Sequence, residues 1–283
     1  MKRLLGCLAL LLPLLAVQVQ AGSLPDGDAA ALGFDPVRLS ALDRSVQARI
    51  DESAFPGAAI LIVRDGQVAH QSLLGRRAPG GGPMTGDTLF RIYSMTKPIV
   101  SVAALALVEQ GKLDLDQPLS DLIPAFAATR VATGLLNADG EPETEPTLRP
   151  ITILDLLRHT SGLTYGFFGQ GVVRDAYRNA AAGSAGLSNV ETAARLADLP
   201  LEHQPGTTWE YSRATDVLGA VVEIASGKPL AQALAAMIFQ PLGMHDTSFG
   251  IANAAHYPRI AEPHENDSRI GGYGMFNPRI TGK

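Results

Sequence analysis

Ser94 and Lys97 stand three residues apart, followed by Pro98 and a stretch rich in Ala, Val and Leu over 99–110 that ends at Gly111. Positions i and i+3 share one face of a helix, so a serine in the first turn sets its hydroxyl beside the lysine amine. A serine hydroxyl is a weak nucleophile and needs a group to take its proton. A lysine does this when burial lowers its pKa, because desolvation disfavours the ammonium. The apolar run after Lys97 supplies such surroundings. The helix N-terminus adds partial positive charge, which favours a neutral amine and an oxyanion near the serine. The pattern alone is weak, since a capping serine beside an exposed lysine has the same spacing.

A second group lies far along the chain. Tyr211 sits in Gln204-Pro205-Gly206-Thr207-Thr208-Trp209-Glu210-Tyr211-Ser212, a turn and a short extended piece that open a helix near Asp216. A tyrosine beside a lysine can relay protons to or from a leaving group. A lone tyrosine is more often an ordinary half-buried aromatic, so the setting carries the argument.

The elements that would hold these groups are legible. Asp35-Pro36 starts a helix, with Asp35 as N-cap, and Leu39, Leu42, Val46 and Ile50 form its apolar face. Residues 57–63 and 67–74 read as strands joined by the Asp65-Gly66 turn. Residues 79–83 form a Gly/Pro loop. Short helices are expected over 151–158, 189–199, 216–225 (stopped by Gly227) and 229–239, the last started by its proline. Residues 138–150 are polar and Pro-rich and read as a surface loop. Beyond Pro263 the chain turns polar and glycine-rich, with no convincing element. Strands come early, helices fill the middle, and no repeat is visible.

Taken together, Ser94-Met95-Thr96-Lys97 resembles the active-site box of the serine β-lactamase and penicillin-binding-protein superfamily. Residues 151–163, ending Leu156-Leu157-Arg158-His159-Thr160-Ser161-Gly162-Leu163, resemble a segment of its class C and family VIII carboxylesterase branches. Trp209 to Gly219 resembles their second box, Tyr-Ser followed after six residues by Gly. Pro241-Leu242-Gly243-Met244 resembles a further shared segment. The similarity spans roughly 34–249.

That resemblance implies an α/β (α+β) fold, with a helical lobe beside an antiparallel sheet flanked by helices. It implies a single domain over 22–283: a helix and hairpin in 22–93, a mainly helical lobe in 94–250, and an irregular end in 251–283. It carries over Ser94 as nucleophile, Lys97 as base and Tyr211 as the second proton-transfer group. Trp209 and Arg213, flanking Tyr211, are expected to contact substrate. His159 is expected to shape a loop rather than to react. Class C β-lactamases have Asn two positions after the tyrosine, and Arg213 stands there instead, so the box looks more like the carboxylesterase branch. The expected activity is ester hydrolysis; the alternatives are β-lactam or D-Ala-D-Ala peptide chemistry, or a non-catalytic binding module. The family's third box, on a strand that supplies an oxyanion amide, finds no match beyond Ile280-Thr281-Gly282-Lys283, which no strand pattern precedes. The expectation is a truncated chain with an incomplete sheet.

Composition bounds the rest. Residues 1–21 read as an export signal: Lys2 and Arg3, an apolar run over 4–17 broken by Gly6 and Pro13, and a small-residue cleavage site at Val19-Gln20-Ala21. The run is shorter than the ~20 residues of a spanning helix, so cleavage is expected rather than anchoring. In Leu4-Leu5-Gly6-Cys7 the cysteine precedes most of the apolar region, the wrong order for lipidation. Cys7 is the sole cysteine, so the mature chain has no disulfide, thiol chemistry or cysteine-held metal. His245, His256 and His264 lack metal-ligand spacing. No metal or cofactor is expected, and the location is periplasmic or secreted. The formal charge is −5 with no basic stripe, which leaves nucleic-acid binding without electrostatic footing. Gly80-Gly81-Gly82 lacks the spacing of a dinucleotide loop. The expected partner is a small ester or amide; the oligomeric state is not legible.

Overall fold

The computed structural model describes residues 24–182, 186–251 and 253–264. The expected signal and residues 280–283 lie outside them. Helix α1 (Pro36–Asp51) begins as expected: the Asp35 side chain accepts a bond from the Val37 amide, and Pro36 takes the first helical position. It packs on the hairpin of β1 (Gly57–Arg64) and β2 (Gln67–Gly75). The strands are antiparallel from Gly57 opposite Gly75 to Arg64 opposite Gln67, with a bulge at Ile62/Val63. Asp65 and Gly66 both have positive φ, which a two-residue hairpin turn requires. Of the four residues expected on α1's apolar face only Leu39 is buried, and Leu42 is exposed.

The core lies in the helical part. Helix α2 (Thr96–Glu109) packs along α6 (Ala214–Ser226), and α6 also meets α3 (Ile153–Arg158), α5 (Asn189–Ala197) and α7 (Leu230–Leu234). Residues 217–222 of α6 are all buried, so the middle of this helix is apolar on every side because other helices surround it. Among the described residues no single helix is long and apolar enough to cross a membrane. Gly227 stops α6 in a left-handed cap.

Several expectations need correction. Residues 138–150 are not only loop: β4 (Pro142–Pro146) pairs antiparallel with β3 (Arg130–Leu136). Two prolines at its ends and two exposed glutamates hide this strand in the sequence, as expected of an edge strand. The described residues therefore hold two hairpins, and the segment after Ser94 is not purely helical. Helix α4 (Val172–Ala182) was not legible either; it buries Val173 and Tyr177, one turn apart, under a polar Arg/Asp surface. Pro229 caps α7 rather than starting it, and α7 passes into a π turn at Ala235–Phe239. The segment 251–264 is not wholly irregular, because Ile260 bridges back to Leu89 in parallel.

The loop after α3 is a tight joint. Gly162 has φ +83°, and a Cβ there would drive into the His203 carbonyl oxygen. Gly140 has a similar φ in open space. Gly162→Ala should therefore cost more than about 2 kcal/mol in urea unfolding, and Gly140→Ala about 1 kcal/mol. Equal losses would show that backbone strain, not the close approach, sets the cost.

Candidate active site

The chain enters the site through Tyr93, whose φ of +43° is left-handed for a non-glycine residue. Ser94 then sits in a 3-10 turn (Tyr93–Met95) just ahead of α2, not in the α-helix itself. Lys97 lies in the first turn of α2, and its Nζ donates to Ser94 Oγ at 3.4 Å. Tyr211 reaches the same oxygen from the far side, its OH 2.6 Å from Ser94 Oγ. Ser94 Oγ is thus held between an amine and a phenol. The two also face each other, because Lys97 Nζ lies 4.8 Å from the Tyr211 ring centre.

Tyr211 has no secondary structure to hold it. Instead its segment is zipped onto the loop after α3. Gly206 N donates to Thr160 O at 2.7 Å, and Glu210 N to His159 O at 2.9 Å. The Ser212 amide donates to His159 Nδ1 at 3.3 Å. Glu210 accepts from Thr164 Oγ1 at 2.9 Å and from Arg174 at 3.0 Å. The loop in turn hangs from Asp155. This carboxylate caps α3 with Thr152, accepts from Thr160 Oγ1 at 2.9 Å, and takes both arms of Arg149 at 2.6 and 2.8 Å. Burial raises the Asp155 pKa, but the Arg149, Thr152 and Thr160 bonds outweigh it and hold the carboxyl below its usual range. His159 makes the contacts of a loop-shaping residue; burial and the Lys97 charge lower its pKa, which keeps the ring neutral.

The electrostatics correct one expectation. Burial does disfavour the Lys97 ammonium, but the phenols of Tyr211 and Tyr165 outweigh it, and the net direction is upward. Tyr211 moves the other way: burial raises it, yet its bonds with Ser94 and Lys97 and the Lys97 charge bring it below an ordinary phenol. Of the two groups, the Tyr211 phenol is therefore the one that gives up its proton more easily.

The remaining expected residues separate. Trp209 is 66% exposed and stacks near Tyr211, ring centres 6.4 Å apart. Arg213 is the N-cap of α6 and pairs with Asp216 at 3.6 Å, so its side chain lies along its own helix. The residue that sequence reasoning missed is Tyr165. It is 9% exposed, lies 5.6 Å from the Tyr211 ring, and has Lys97 Nζ 5.7 Å from its ring centre. Phe167 and Phe168 continue from it, at 4.5 and 6.0 Å between ring centres. Three aromatics within four residues, in a chain only 6% aromatic, were the available signal. Among the described residues no cluster of His, Cys, Asp and Glu could hold a metal.

A phenol and an amine converging on a helix-start serine, inside this fold, define a serine enzyme site of the β-lactamase type. The chain matches the Beta-lactamase family model over residues 42–273 and belongs to that family. It is 40% identical to Esterase EstB of Burkholderia gladioli over 83% of its own length and 59% of that relative's. It is 34% identical to the lovastatin esterase of Penicillium rubens, over 85% and 62% of the two chains. Among solved structures it resembles EstCE1, a hydrolase with promiscuous acyltransferase activity (TM-score 0.64, 30% identity, covering 83% of this chain and 59% of the other). The chain thus spans about three-fifths of the length of these relatives.

Because the Ser94 bond helps bring the Tyr211 pKa down, Ser94→Ala should move it up. Titrating tyrosine Cζ resonances in wild type, Ser94→Ala and Tyr211→Phe checks this. An unchanged Tyr211 titration in Ser94→Ala would mean that the 2.6 Å contact does not exist in solution.

Proposed function

We propose that this chain is a serine hydrolase that cleaves carboxylic esters through an acyl-enzyme on Ser94. The observation that carries the reading is the convergence of Tyr211 OH and Lys97 Nζ on Ser94 Oγ. In this reading Ser94 Oγ attacks the acyl carbon while its proton passes to Tyr211 in its ionised form. Lys97, held as the ammonium, stabilises that phenolate. Tyr211 then returns the proton to the departing alkoxide, and water releases the acyl group by the same route in reverse. The lysine is an electrostatic partner here and the tyrosine the base, which reverses the roles expected from the sequence. The pKa directions of the two groups support this assignment.

Ester chemistry is supported by the relatives' names and by the site's lining. Trp209, Phe167 and Phe168 present exposed aromatic faces beside Tyr211, suited to the apolar part of an ester. Trp209 and Arg213, on either side of Tyr211, are read as substrate-contacting residues. We also infer export, on the signal pattern of residues 1–21, to the periplasm or the medium; the recovered protein would then begin at Gly22.

The test is the intact mass of the protein after exposure to a fluorophosphonate. One adduct is expected, absent in Ser94→Ala, together with turnover of a p-nitrophenyl ester in preference to a chromogenic cephalosporin. Tyr211→Phe should lower acylation about 100-fold or more. The wild-type rate should rise with pH and level off below the pKa of free tyrosine, because the ionised phenol is the reactive form and its pKa is depressed. No adduct on a folded chain would leave a non-catalytic binding module as the better reading.

A further inference from the structure

Tyr93 holds a left-handed φ of +43° immediately before Ser94, and such a conformation persists only where its surroundings impose it. Helix α2 anchors the turn on its C-terminal side. On the other side lies the stretch 89–91, three residues from the serine. It is gripped by a segment about 170 residues later in the chain. Leu89 N donates to Arg259 O and Ala261 N to Leu89 O, each at 2.8 Å. Arg91 then places both arms on Glu262, at 2.9 and 3.1 Å, in a pair that is largely buried. The far segment is itself fixed. Glu262 N donates to Arg77 O at 2.8 Å, and Arg259 Nε donates to the Asp87 carbonyl at 2.8 Å while its guanidinium pairs with Asp246.

We propose that Arg91 and Glu262 are positioning residues for the nucleophile: their bidentate pair holds the approach segment so that the strained Tyr93 turn keeps Ser94 Oγ between Lys97 and Tyr211. A two-pronged guanidinium–carboxylate contact fixes angle as well as distance, which a single bond would not. Without it, Tyr93 can relax toward ordinary φ and carry Ser94 off its partners. The inference rests on the acyl-enzyme reading above.

The test uses the full chain in four forms: wild type, Glu262→Gln, Tyr93→Gly, and the two combined. Glycine adopts positive φ without strain, so it removes the reason for the turn to relax. Labelling of the wild type at Ser94 establishes the acyl-enzyme reading first. Glu262→Gln should then slow fluorophosphonate acylation at saturating probe about tenfold, the worth of a charge-assisted bond, with little change in half-saturating concentration. Adding Tyr93→Gly should restore most of the rate. A merely structural pair predicts no such rescue. Wild-type labelling in Glu262→Gln, or no recovery in the combined variant, overturns the proposal. Urea unfolding of the same proteins tests it without chemistry, even if the wild type does not label: the stability change from Tyr93→Gly should be less favourable in the Glu262→Gln background, and additive changes overturn it.

Discussion

The groups around Ser94 depend on one buried carboxylate. Asp155 accepts two bonds from Arg149, two from Thr152 and one from Thr160, so both oxygens are fully engaged. A carboxylate taken from water is costly unless charge and hydrogen bonds replace its hydration, and here both do. The arrangement caps α3, orients the loop at 159–164, and gives the segment at 206–212 something to zip onto. Tyr211, on an irregular stretch of chain, owes its position to that sequence of contacts. The apolar helix α6 completes it by burying the joint from below.

The second constraint is electrostatic. Three polar groups share one small volume, and only certain proton arrangements are favourable. The phenols of Tyr211 and Tyr165 beside Lys97 favour its charged form, so burial does not neutralise the amine. Instead the neighbouring charge of Lys97 helps bring the Tyr211 phenol below its ordinary range. The serine oxygen lies within hydrogen-bond reach of both groups. The aromatic neighbours Tyr165, Phe167 and Phe168 lower the local dielectric and so strengthen these interactions.

The wider architecture distributes these tasks between parts of the chain far apart in sequence. The hairpin and α1 form one side and the helices the other. Ser94 stands where the chain passes from the first to the second. The stretch 89–91 just before its strained turn is bonded to residues 259–262, which ties the approach to the serine to the far end of the described chain. This placement makes geometry at Ser94 sensitive to residues that never touch it.

The sequence by itself determined what local physics can determine. Asp35-Pro36 predicted a helix start, Asp65-Gly66 a hairpin turn, and Gly111 and Gly227 helix ends, because caps and positive-φ turns depend on residues next to one another. Motif likeness singled out Ser94, Lys97 and Tyr211. It did not reveal β4, whose prolines and glutamates hide an edge strand, nor α4, whose apolar contacts are only Val173 and Tyr177. Tyr165 went unnoticed because, although the aromatic cluster at 165–168 is visible in the sequence, the groups it faces are not. The direction of the Lys97 pKa was misread for the same reason: burial could be inferred from neighbours in sequence, but the phenols that outweigh it come from 68 and 114 residues away. Which groups face one another across such distances is decided by tertiary packing, and the proton arrangement of the site follows from that packing alone.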